Sequence, residues 1–427
     1  MKIWNRQLGK SISNFIKYYL PAFRWRNFRL FFGGQLLSMS GTFMTQQLTI
    51  PWLVYDLTKS AWLLGVAGFV QFLPTLLVIP FSGILSDPWS RRDLLMVVQI
   101  LGISVSLALT ILTFTNWITF PILLVLSVLN GLLKGLDMPV RHTIVTETVD
   151  DRADWSNAIA LNSVMLSCSL VLGPAIGGIL IATLGVKYCF LYDTISYIPA
   201  IFTLLAIRLP ARPMQGLTNL KDALQKLGEG YEYITTFQTI RAILLILTLQ
   251  GFVGMSHIAL MPVFAAKILN GDATTMAHLS TSGPIGSLLA CVYLSFRRGI
   301  AGLERLIVVA QVLVGMSQIS FSLSRQVELS IIILVFTGCF TILLITSSNM
   351  IIQNLVAEDK RGRVMSFYAL AMVGTMPFGN LFAGTLADNF GATNALIISG
   401  SLSVLGALWF STQLPEVSRC TNRHLYK

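Results

Sequence analysis

Charge is what this sequence has least of. Only 11% of its 427 residues are Asp, Glu, Lys or Arg, against 54% hydrophobic residues, a balance too apolar for a soluble globule. Cysteine is sparse as well. Cys168, Cys189, Cys291, Cys339 and Cys420 are scattered, without metal-ligand spacing and without the pattern of a disulfide framework, so they read as free packing thiols. The loops contain no nucleophile–base constellation, no phosphate loop and no metal-ligand spacing, which argues against an enzyme and against any cofactor. A cleavable signal sequence is not expected either, because the first ~26 residues are polar and basic before any long apolar run starts. The first span then serves as the targeting signal.

What the chain does have is apolar runs of roughly 20 residues or more, long enough for a helix to cross a bilayer and too continuous for membrane strands. The expected spans are about Phe28–Tyr55, Ala61–Leu85, Leu94–Phe114, Phe120–Val140, Asn157–Leu184, Cys189–Ile207, Ile243–Phe264, Thr281–Phe296, Leu306–Leu323, Ser330–Leu355, Val364–Leu386 and Thr393–Phe410. This predicts an all-α polytopic membrane protein of about twelve helices. The net charge of +11 could suggest nucleic acid, but its placement argues for a membrane. Of 30 Lys and Arg, four (Lys59, Lys187, Lys267, Arg325) fall on one face and Lys134 within a span, which leaves 25 on the other face. That is the positive-inside pattern, with both termini cytoplasmic in a multi-pass cell-membrane protein.

The expected organisation is a basic N-terminal segment (1–26), a first six-helix lobe (27–209), a polar linker (210–240), a second lobe (241–414) and a cytoplasmic tail (415–427). The linker holds an amphipathic stretch, Leu220 to Leu227, suited to lying on the inner membrane surface. An internal echo about 206 residues apart, Pro174–Gly185 against Asn380–Gly391, fits parallel halves related about the membrane normal.

Polar groups inside the spans are the candidate functional residues, since each is expensive against lipid. The first span alone carries Gln35, Ser38, Ser40, Thr42, Thr45, Gln46, Gln47 and Thr49, so one of its faces should look onto protein or a watery cavity. Gln46, Gln47, Asn162, Gln250, Asn349 and Gln353 are the expected lining of a substrate cavity. Many amides with few fixed charges suit a bulky solute of mixed polarity. For proton coupling the first candidate is Asp193, the second Asp56, with Lys134 a possible charge partner; His257 and His278, just before the eighth span, rank lower. Gly173, Pro174, Gly177 and Gly178 permit close helix approach and a bend in the fifth span.

Between the second and third spans lies Gly83 Ile84 Leu85 Ser86 Asp87 Pro88 Trp89 Ser90 Arg91 Arg92, a charged turn that must emerge at the membrane face. Asp137 and Arg141, at i and i+4, can share a helix face and approach this turn. Gly83 to Arg92 resembles the signature turn of the major facilitator superfamily, of form G-x-L-A-D-R-x-x-R-R. Trp52–Ala61, Asp137–Arg141, Asn157–Ser163 and Arg361–Ser366 resemble segments of its exporter branch, which includes the enterobactin exporter and macrolide efflux proteins. The resemblance covers nearly the whole chain.

It implies a major facilitator fold of two pseudo-symmetric lobes and alternating access about a central site, driven by protons, with export of a drug, macrolide or siderophore. It also implies that Gly83, Asp87, Arg91 and Arg92 act as a conformational signature, with Asp87 meeting the start of the eleventh span near Gly362–Met365. Arg363 then joins Asp137 and Arg141 in a cytoplasmic charge cluster. One departure weakens the analogy: Pro88 stands where a basic residue usually follows the acid. A monomer bearing a small-molecule substrate in the lipid bilayer is the expectation. Inward movement of a lipid or nutrient, or a membrane sensor or assembly partner without transport, stays open beside it.

Overall fold

The computed structural model describes residues 20–78, 90–207, 228–229, 231–297 and 299–425. The turn residues Gly83 and Asp87, the N-terminal residues 1–19 and the amphipathic Leu220–Leu227 stretch lie outside them. Twelve helical rods form two bundles. α1 is built from Arg26–Met44, a π turn at Thr45–Thr49 and Ile50–Thr58; α2 is Ala61–Val78, α3 Arg91–Phe114, α4 Phe120–Glu147, α5 Trp155–Thr183 and α6 Lys187–Ala206. The second bundle holds α7 (Gln238–Ile268), α8 (Ala273–Ser295), α9 (Leu303–Leu323), α10 (Val327–Leu355), α11 (Glu358–Val373 with Met376–Phe390) and α12 (Ala392–Leu425). Ten of them are long and apolar enough to cross a membrane. The other two, α1 and α8, are richer in hydroxyl and amide side chains.

Several helices outrun their expected spans, two of them because a capping residue sits before the apolar run. Asp272 accepts from the Thr275 N–H at 2.9 Å in a capping box, starting α8 eight residues early and placing His278 inside it. Ser90 caps α3 by accepting from the Asp93 N–H at 3.1 Å. α4 runs seven residues past Val140, carrying Asp137 and Arg141 well inside the helix rather than at its end. α7 begins at Gln238, with Thr239 and Ile240 buried, so the last residues assigned to the linker belong to the second lobe. α12 continues through Pro415 to Leu425, which removes the boundary drawn for a separate tail. Ala22 is fully buried against the first bundle, so the segment 20–26 is part of that lobe.

The apolar packing reveals the state of the molecule. At the end of the bundle where α1 meets α2, buried residues of both lobes form one cluster: Val54, Leu64, Leu109 and Phe190 with Phe264, Ala277, Phe321 and Ala383. At the opposite end there are two clusters, one per lobe, around Phe28, Leu95 and Ile144 and around Ile243, Leu344 and Phe410. The lobes are therefore joined at one end and parted at the other. The seam runs along α2 against α11 and α5 against α8. Glycines make it close: a Cβ on Gly65 would lie 2.7 Å from the Asn380 carbonyl oxygen and 2.9 Å from Gly384 Cα, and one on Gly178 2.8 Å from Ala277 Cβ. Lys59, Lys187, Lys267 and Arg325 sit at the joined end, and the other described basic side chains outside the spans sit at the parted end.

Candidate functional site

The cleft between the lobes begins at the break in α1. Pro51 has no N–H to offer the Gln47 carbonyl, and the chain answers with a π turn closed by the Ile50 N–H on the Thr45 carbonyl. The turn presents Gln46 and Gln47 to a cleft with about 730 Å³ of open space, shared with Gln71, Phe72 and Lys134 of the first lobe and Met255, Met376 and Asn380 of the second. Lys134 is the fifteenth of 28 residues of α4, about 20 Å from either helix end. Gly131 and Gly135 flank it and let α4 lie against α2, since added Cβ atoms there would meet the Gln71 carbonyl oxygen at 2.6 Å and Val78 Cβ at 2.7 Å. The Lys134 ammonium donates to Gln46 Oε1 at 2.6 Å and stands 5.8 and 5.5 Å from the ring centres of Phe43 and Phe72. It does not pair with Asp193.

A second hollow, within the first lobe, connects Lys134 to Asp137 and Arg141. Arg141 grips Asp137 one turn away with contacts of 2.7, 2.8 and 2.9 Å and donates to Gln35 Oε1 of α1. The guanidinium is buried, so its charge is met twice over, by a carboxylate and by an amide.

Asp193 occupies a separate chamber between α1, α3 and α6 and is only 2% exposed. Ser106 donates to its Oδ2 at 2.9 Å, and Ser106, Thr194 and Thr110 continue as a hydroxyl chain with steps of 3.0 Å. Oδ1 has no hydrogen bond of good geometry among the described residues, and the Thr45 hydroxyl of α1 is the second hydroxyl that acts on this carboxyl. Gly41 makes the room, since a Cβ there would lie 2.9 Å from Oδ1. One turn on, Tyr197 reaches Thr42 at 3.2 Å and faces the hollow that holds Arg141.

The remaining expected residues are dispersed. Asp56 is exposed and bonded to Lys59 at 2.6 Å, far along α1 from Asp193. Asn162 is buried on α5, and Gln250 is fully buried inside the second lobe, 3.5 Å from Thr341; neither lines the cleft. Gln353 donates to Asn349 on the same face of α10 at 2.5 Å. Gly173 and Gly177 pack α5 on Ser40, Met44 and Leu48 of α1, with Pro174 inside the helix, while Gly178 faces the other lobe. Arg363 pairs with Glu229 at 2.6 Å and does not join Asp137 and Arg141, because the lobes are parted at that end. Arg91 meets Glu147 at 2.6 Å. Arg92 donates to the Leu204 and Leu205 carbonyls at 2.8 and 3.1 Å, satisfying the open C-terminus of α6. Gln71 and Asn380, which line the cleft, and Ser106, which holds Asp193, were not singled out in the sequence, where they are isolated polar letters in spans that fold back against others.

A family model described as a transmembrane secretion effector matches residues 19–424. Among curated proteins, the chain is 23% identical to the staphyloferrin A transporter of Staphylococcus aureus, over 87% of this chain and 92% of that one. It is 23% identical to macrolide efflux protein A of Streptococcus pyogenes, over 90% and 96% of the two chains. It is also 23% identical to the multidrug efflux pump Tap of Mycolicibacterium fortuitum, over 83% and 88%. Among solved structures, a POT family transporter in complex with 5-aminolevulinic acid superposes with a TM-score of 0.71 at 12% identity, over 92% of this chain and 97% of that one. A bacterial homolog of the human lysosomal transporter Spinster gives 0.69 at 13%, over 93% and 97%.

Proposed function

Since this chain belongs to the transmembrane secretion effector family of the major facilitator superfamily, and is a multi-pass membrane transporter rather than an enzyme, we propose that it exports a bulky small molecule by proton-coupled alternating access. The basic end of the bundle faces the cytoplasm, with both termini there, by the positive-inside rule. The cleft is then open to the cytoplasm and shut outward. Each six-helix lobe moves as a body, and export requires the α2–α11 and α5–α8 seams to part while the two cytoplasmic clusters meet. The Gly83–Arg92 turn acts in that second closure, with Asp87 approaching the start of α11.

The observation that carries the coupling is Asp193: a buried acid with no cation beside it among the described residues, held only by hydroxyls, with a hydroxyl chain leading from one oxygen. A carboxyl group alternating between such an enclosure and water takes up and releases a proton. Tyr197 and Thr42 link its chamber to the hollow beside the cleft. Gln46 and Gln47 are the amides that meet substrate, and the protein works as a monomer.

The test is uptake into inside-out vesicles under an imposed pH gradient, with a panel of macrolide, dye and siderophore. Accumulation that a protonophore abolishes and that Asp193→Asn prevents supports the proposal. Accumulation by wild type that is indifferent to the gradient overturns the coupling, and no accumulation of any panel member by folded protein overturns the export reading.

A further inference from the structure

We infer that the cleft selects an anionic substrate, one whose carboxylate or equivalent acidic group docks on Lys134. This rests on the export reading and narrows it to a chemical class. Three features of the cleft converge. Lys134 is the one ionisable side chain among the described residues lining it, and acids are absent from that lining. The nearest carboxylate in the neighbouring hollow, Asp137, is committed to Arg141 through three short contacts, so Lys134 has no ion-pair partner among the described residues. The ammonium also lies at mid-span, where an unpaired charge is costly to keep.

What surrounds that charge is a receptor rather than a counter-ion. The Gln46 amide oxygen takes one of the three ammonium hydrogens, and Phe43 and Phe72 offer ring faces at 5.8 and 5.5 Å. Two donor positions are left for a ligand. Gln71 and Asn380 stand on opposite lobes there, able to donate to the oxygens of a bound group. An anion bridging Lys134 and Asn380 would tie the first lobe to the second, so occupancy would be sensed by both. A cationic drug would face the ammonium at close range across a low-dielectric space, which disfavours it.

The experiment compares a 7-methoxycoumarin-3-carboxylate dye with its uncharged methyl ester, and a carboxylate siderophore with a cationic rhodamine ester, in proton-energised inside-out vesicles. Wild type is expected to accumulate the acids in preference to the ester and the cation. Lys134→Met should lower accumulation of the acids by at least about tenfold, the loss of one charged hydrogen bond, while leaving the neutral ester within about twofold. Lys134→Arg should retain most of it. Lys134→Met removes an unpaired charge but leaves Gln46 Oε1 without its donor, so size-exclusion monodispersity checks folding, with Lys134→Arg as the variant that keeps a donor there. Equal or better transport of the cation by wild type, or undiminished acid transport by Lys134→Met, overturns the inference while leaving export standing. No transport of any of the four probes by folded wild type overturns both.

Discussion

Gly65 is where the outward seam is most easily broken. A Cβ there meets the Asn380 carbonyl oxygen at 2.7 Å and Gly384 Cα at 2.9 Å, both backbone atoms of a packed helix that cannot rotate away. Ordinary carbon contacts need about 3.5–4.0 Å, so α2 and α11 must separate by roughly 1 Å. Overpacking of that kind costs about 1–3 kcal/mol. The cost falls only on the state in which the two helices touch. The gain in helix propensity from Gly to Ala is present in both states and cancels. Gly65→Ala should therefore shift the ratio of outward-open to inward-open molecules by about 5- to 140-fold, and Gly65→Leu further. The assay is electron–electron resonance between spin labels at Asn116 and Gln326, which lie on the two lobes at the joined end, in a background lacking the five cysteines. A new population at longer distance, growing from Ala to Leu, is expected. Distances unchanged in both variants would show that this seam does not hold the lobes together.

Other perturbations have equally definite outcomes. Asp137→Asn leaves the buried Arg141 guanidinium without its carboxylate and should cost about 3–5 kcal/mol, seen as a lower melting temperature; the double variant Asp137→Asn with Arg141→Gln should recover most of it. Trp25→Phe removes the indole donor to Asp154 at 2.9 Å and should cost about 1–2 kcal/mol, with faster proteolysis of the N-terminal segment. Ser106→Ala strips Asp193 of its hydroxyl donor on α3 and should alter the pH dependence of transport while leaving substrate affinity within about twofold.

The architecture was legible in the sequence because span length and apolarity are properties of contiguous residues. Helix ends were less so: α8 starts early because Asp272 and Thr275 close a capping box, a signal of two letters that the apolar run of Ile285–Leu294 overshadows. The site was legible in part. Asp193 and the glutamines of α1 stand out as polar letters in apolar surroundings. Where they point depends on the π turn before Pro51 and on glycines such as Gly41 and Gly131, whose role appears only when the neighbouring helix is in place. Gln250 looks like Gln46 in sequence, yet one is sealed within its lobe and the other lines the cleft. Arg363 illustrates a different obstacle: its expected neighbours lie on the other lobe, across the end of the bundle where the two lobes are parted, and it pairs with Glu229 instead.

In the proposed mechanism, substrate leaves as protons enter, through Asp193. The most direct measurement is proton movement in proteoliposomes holding a pH-sensitive dye, with no imposed gradient, on adding whichever panel compound the vesicles accumulate. Wild type is expected to move protons counter to substrate, in proportion to the substrate carried, and Asp193→Asn to move none. Substrate flux with no accompanying proton movement in the wild type would contradict the account.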